Sequence, residues 1–146
     1  MANWIKPDET DLAANLSQGE IDAFRADGPL DGSDPVPALL DRTVQLVRAN
    51  IAAGGRCSKM GPAGTCPAGL VIPAMDYAMA KVLNRIDVPL SEDRRAALRR
   101  AEEIFDKLAA GALAVESYSD LDEIDSSTLP ASSPAAAPAT PERLLD

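Results

Sequence analysis

The chain has 146 residues, 46% of them apolar but only 3% aromatic, and its 14 basic and 23 acidic side chains, with no histidine, give a net charge of −9. That length suits one domain, and no apolar run reaches the roughly 18 residues that a bilayer-crossing helix needs. The start MANWIKPDET lacks the basic beginning and apolar core of a signal peptide, so a soluble protein made in a cytosol is the expectation.

With Trp4 the only tryptophan and Phe24 and Phe105 the only phenylalanines, the core must come from Leu, Ile, Val, Met and Ala. These are mostly helix-compatible residues, so the chain reads as all-α. The charge is unevenly spread. Residues 1–34 hold eight acidic and two basic side chains, 35–115 eight and eleven, and 116–146 seven and one. A mildly basic middle thus lies between two acidic ends. The acidic total argues against tight nonspecific nucleic-acid binding by the free chain, although it leaves room for a basic face.

In chain order, PDETDLAANLSQGEIDAFRADG reads as two short helices, the first capped by Asp8. The second opens on Ser17 and Glu20, a capping box, with Leu16 as a hydrophobic staple and Gly28 and Pro29 as a stop. DGPLDGSDP is turn chemistry and reads as a surface loop. The first long helix starts at Asp34 and Pro35, carries an apolar stripe of Leu40, Val44, Val47 and Ile51, and ends at Gly54 and Gly55. A second, IPAMDYAMAKVLNRI, has Met75, Met79, Val82 and Ile86 on its buried side and Lys81, Asn84 and Arg85 on its wet side. The third opens on Ser91, buries Leu98, Ala101, Phe105 and Leu108, and stops at Gly111. Pairs of Arg99 with Glu103 and Glu103 with Lys107 support it at i,i+4 spacing.

Composition shifts at Glu116. Residues 1–115 read as a small helical bundle of three longer helices plus short N-terminal ones, and residues 116–146 as an acidic, Pro/Ala-rich C-terminal arm. The arm buries too little apolar surface to offset its ordering entropy, so it is expected to be extended and flexible, with Leu144 and Leu145 as a small anchor.

The stretch GGRCSKMGPAGTCPAGLVIP between the first two long helices holds both cysteines. Two cysteines without histidine fall short of the four ligands of a structural zinc site, and the spacing of Cys57 and Cys66 is not C-x-x-C. A disulfide is disfavoured in a reducing cytosol, which leaves two thiols in a mobile loop as the first reading. Neither phosphate-cradling glycine motif is present. With no histidine and with carboxylates mostly at caps and exposed faces, no catalytic set stands out, so the chain is not expected to be an enzyme and no cofactor or metal is implied. The arginines Arg94, Arg95, Arg99 and Arg100 are the densest charge. They read first as a solvated face, and second as a contact for an acidic neighbour or DNA.

Taken in order, W-I-x-P-x-x-x-D-L, L-S-x-x-E-I-x-A-F-R, a DP opening a helix with VRANIAAG, the Gly-rich loop into IPAMDYAMAKVLNRI, and SEDRRAALRRAEEIFDKLAAG resemble the small helical head–tail connector proteins of tailed bacteriophages. These are also called head-completion or adaptor proteins, and the likeness, to Mu-like or related long-tailed phages, covers about residues 4–113. The resemblance implies a structural virion protein without a cofactor. It would form a ring, typically twelvefold, beneath the portal protein at the head–tail neck, extend the channel for packaged DNA, and offer a platform to a tail-side neck, stopper or tail-terminator protein. No membrane enters that role. A terminal arm embracing the portal would include Tyr118, Leu121, Ile124, Leu144 and Leu145, with Arg94, Arg95, Arg99 and Arg100 as further partner contacts. The loop 54–71, with Arg56, Cys57, Lys59, Met60 and Cys66, would face the channel, a neighbouring subunit or the tail-side protein. The alternative from a different class is a helical DNA-associated regulator, such as a small terminase-type packaging subunit, with the Arg94–Arg100 face on phosphate.

Overall fold

Capping chemistry sets the helix starts in the computed structural model, which describes residues 2–119. Helix α1 (Glu9–Ala13) opens on a box in which Asp8 accepts from the Asp11 N–H and Asp11 accepts from the Asp8 N–H. Ser17 and Glu20 do the same at α2 (Gln18–Ala26), as their spacing predicts. At α3 (Pro35–Gly54) the Asp34 carboxylate accepts from the Val36 N–H at 3.0 Å. Helix α4 (Val71–Arg85) has no side-chain cap and is entered through a 3₁₀ turn, Ala68–Leu70. Ser91 caps α5 (Glu92–Ala109).

The helix ends are equally local. After α5, Gly111 takes φ 74°, and the Gly111 and Ala112 N–H groups donate back to the Leu108 and Lys107 carbonyls. This Schellman closure satisfies carbonyls the helix leaves free. Asp87, at φ 59°, closes α4 the same way without glycine, with the Val88 N–H on the Leu83 carbonyl at 2.9 Å.

Three long helices pack together, with α4–α5 and α3–α5 the most extensive contacts. The expected stripe of α3 is buried throughout, as are Met75, Met79 and Val82 of α4 and Ala101, Phe105 and Leu108 of α5. Leu83 joins them, while Ile86 and Leu98 are only half-buried. Leu12 of α1 and Ile21 of α2 are buried in the same core, both helices packing on α4. The helices α3 and α5 touch backbone to backbone at their C-terminal ends. A Cβ on Gly54 would stand 1.9 Å from the Leu108 carbonyl oxygen. The chain is thus the small all-α bundle its sequence predicts, and among the described residues no helix is long and apolar enough to cross a membrane.

Two further features depart from expectation. A two-stranded antiparallel ladder joins β1 (Trp4–Ile5) to β2 (Cys66–Pro67), with Trp4 opposite Pro67 and Ile5 opposite Cys66. Nor do Arg99, Glu103 and Lys107 form an ion pair. Exposed i,i+4 pairs gain only tenths of a kcal/mol, too little to hold long side chains in one geometry.

Candidate interface

The glycine-rich loop is built into the body rather than projecting from it. Arg48 on α3 donates through Nη1 to the carbonyls of Pro62 (3.0 Å) and Thr65 (2.8 Å), and through Nη2 to that of Gly61 (3.0 Å). Its guanidinium carbon lies 5.6 Å from the centroid of the buried Trp4 ring, in cation–π range. Gly61 passes so close that an added Cβ would meet Trp4 at 3.0 Å. The two cysteines, both free thiols, are therefore unlike each other. Cys66 is fully buried, and burial pushes its thiol up to about 11 against the opposing pull of Arg48. Cys57 is half-buried, with its Sγ donating to the Lys59 carbonyl at 3.2 Å. The expectation of two thiols in a mobile loop is thus corrected. Cys66 is core, Met60 is half-buried against the core, and of the expected interface set Arg56 and Lys59 are exposed. Arg56 is nonetheless anchored, donating to the Gly111 carbonyl at 2.9 Å.

The start of the C-terminal segment lies on this loop and on the N-terminus. The Trp4 indole N–H donates to the Glu116 carbonyl at 2.9 Å, and Asn3 Nδ2 to the Ser117 carbonyl at 2.8 Å. Asn3 and Ser119 exchange two further bonds, and the Tyr118 N–H donates to the Lys59 carbonyl at 2.7 Å. The Lys59 ammonium stands 5.5 Å from the centroid of the Tyr118 ring. Residues 116–119 are thus joined to the body. Leu121, Ile124, Leu144 and Leu145 lie outside the described residues.

The arginine cluster is not one patch. Arg94 grips Glu20 with both terminal nitrogens, at 2.9 and 3.0 Å, and also donates to the Asn15 carbonyl. Hydrogen bonds from Arg94, then from the Ser17 N–H, hold the Glu20 carboxyl down to about 2. One carboxylate thereby caps α2 and ties it to α5. Arg95 donates to the Leu90 carbonyl at 2.9 Å. Arg99 and Arg100 are exposed, and Arg100 opposes the burial that raises the Asp76 carboxyl.

The surface has a feature that the sequence did not single out. Between α2, α3 and α4 runs an open groove of about 680 Å³ with half-buried Phe24, Leu39, Leu46 and Tyr77 on its walls. Arg42, Lys81 and Arg85 line it, and no carboxylate does. The available signal was the set of apolar side chains falling outside the buried stripes. A smaller hollow of about 510 Å³ beside α1 mixes Lys6 with Asp8, Glu9 and Asp41. Among the described residues, no three His, Cys, Asp or Glu side chains converge to hold a metal ion.

Comparison with protein-family models, with curated proteins and with solved structures finds no match.

Proposed function

We propose that this protein is a structural assembly component of the phage head–tail connector type, a ring-forming body that joins the portal to the tail and extends the DNA channel. The observation that carries the reading on the structural side is the built root of the C-terminal segment. Residues 116–119 are hydrogen-bonded to Asn3, Trp4 and Lys59, so the acidic and Pro/Ala-rich chain that follows departs from a fixed point on a small helical body. An arm with a fixed root reaches a partner at lower entropic cost than one hinged at a loose end. The sequence pattern quoted above supplies the rest of the support.

The body to be tested without its arm is residues 1–119, because a cut before Tyr118 would remove bonds belonging to the body. The DNA-regulator alternative is weakened, since two of its four arginines are occupied by Glu20 and by the Leu90 carbonyl. Electron microscopy of a phage lysate in which this reading frame is interrupted tests the proposal. Free tails beside tailless or emptied heads are the expected result. Normal virions would overturn it, and absence of filled heads would favour the packaging alternative.

A further inference from the structure

We propose that the groove between α2, α3 and α4 is the docking site for the acidic stretch Asp120–Asp125 of a second copy of this chain. The inference does not depend on the head–tail role. It starts from charge: in a chain of net −9, this groove is lined by three cations and no carboxylate. Arg85 is partly neutralised by Asp27 at 2.6 Å, and Lys81 stands over the Tyr77 ring at 5.0 Å. Arg42 is exposed and has no ion pair among the described residues. The walls beneath these cations are apolar.

The chain itself carries the complement. Asp-Leu-Asp-Glu-Ile-Asp, residues 120–125, sets Leu121 and Ile124 among four carboxylates with no basic residue. An apolar groove with a basic rim fits two apolar anchors flanked by acids, and like-sign rejection disfavours only the basic parts of the molecule, such as the Arg94–Arg100 face. The Leu144–Leu145 end, with Arg143 beside it, matches the charge less well.

Reach selects the second copy over the chain's own groove. The segment leaves the body at Ser119, in the region that Arg48 and Trp4 organise. On α3, Leu46 of the groove and Arg48 are two residues apart, so they lie about 200° apart around the helix. A helix with its side chains is about 10–12 Å across, whereas two residues of extended chain span at most about 7 Å. Two residues of chain cannot cover that width although five can, so Leu121 and Ile124 cannot both seat in the chain's own groove. A neighbouring copy meets no such limit, and each copy then offers one segment and one groove, a heterologous contact that closes into a ring or continues as a chain.

The test uses the full-length protein in sedimentation over a range of concentrations and salt. Concentration-dependent association that weakens severalfold as salt rises is expected, because the rim charges become screened. Two variants follow, Leu121→Ser with Ile124→Ser in the segment, and Arg42→Glu with Lys81→Glu on exposed groove positions, each checked for unchanged circular dichroism and thermal midpoint. Each alone should associate about tenfold or more weakly, as loss of central anchors does. Mixed in equal amounts, they should restore one contact, since one supplies an intact groove and the other an intact segment. If groove variants misfold, the segment variant and a synthetic peptide of residues 119–127 titrated into wild type carry the test. A monomer at all concentrations, association unchanged in the segment variant, or no complementation between folded variants would overturn the proposal. Any of these results would leave the lysate experiment untouched.

Discussion

The segments 27–34 and 54–71 are alike in composition, both rich in glycine, proline and small polar residues, and sequence reasoning treats both as surface loops. They behave differently in the fold. In the first, Leu30 is fully exposed and the internal bonds are short-range, such as Asp31 accepting from Ser33. In the second, Cys66 is buried, Gly61 lies against Trp4, and Arg48 gathers three carbonyls. The contrast teaches that glycine and proline permit irregular backbone without deciding whether it is ordered. Order comes from what the remaining side chains find: arginines hold only the two ends of the first segment, Arg85 at Asp27 and Arg25 at Asp34, whereas the second has a tryptophan, an arginine on its central carbonyls and a strand partner waiting for it.

The sharpest way to break the comparison is to remove the tryptophan. Trp4→Ala deletes the largest side chain under the loop and the donor to Glu116, and should cost about 3–5 kcal/mol in urea denaturation. Proteolysis within 56–65 should rise with it. A loss below about 1 kcal/mol would mean that the loop does not depend on this contact.

Arg48→Met comes next. It keeps the stem but leaves the carbonyls of Gly61 and Thr65 without their Arg48 donor, while that of Pro62 keeps the Thr65 N–H and hydroxyl, at a cost of about 1–3 kcal/mol. Arg48→Lys should recover little, because an ammonium lacks the planar fork that serves three acceptors. Full recovery by lysine would show that charge over the indole, not the fork, holds the segment.

Cys66 gives a chemical measure of the same order. Alkylation at pH 8 should label Cys57 quickly and Cys66 only after unfolding, because the buried thiol is pushed up to about 11. Equal labelling rates in the folded protein would contradict the buried site. The folded state holds this proton above the ordinary thiol range, so the thiol's contribution is intact below about 9 and is lost as pH rises toward 11. Cys66→Ala should flatten that alkaline decline, while Cys66→Ser should cost about 1–3 kcal/mol through a buried hydroxyl. Cys57→Ser should be nearly neutral.

What the sequence reveals divides along the same line. Caps and stripes are legible because their partners lie within a few residues: Ser17 with Glu20, Asp34 with Val36, Leu40 with Val44 and Val47. The order of the loop is not, since it rests on Trp4, Arg48 and Glu116, whose proximity exists only after folding. Arg94 is the plainest case. It reads as one of four clustered arginines, yet its partner Glu20 is 74 positions away and already satisfies a local capping motif. The groove escaped notice for a related reason, because Leu39, Leu46 and Tyr77 break no periodicity and acquire meaning only when α2 and α4 leave their flanks open.

The smallest expected effects lie in the first segment, and they complete the comparison. Leu30→Ser should leave folding stability within about 0.5 kcal/mol, since the side chain is already in water and removing it exposes nothing. Four Gly/Ser residues inserted after Gly32 should cost about 0.6 kcal/mol or less, the entropy of a longer closure between the same ends. The same insertion after Gly64 separates the carbonyls of Pro62 and Thr65 that share one Arg48 nitrogen, and pulls Cys66 out of register with Ile5. It should therefore cost several times more. Equal tolerance at the two sites, measured by denaturant midpoints, would place both segments in the same class and leave the Arg48 fork without an energetic role. Unequal tolerance would make the carbonyls around Arg48, rather than the count of glycines, the feature that distinguishes the two.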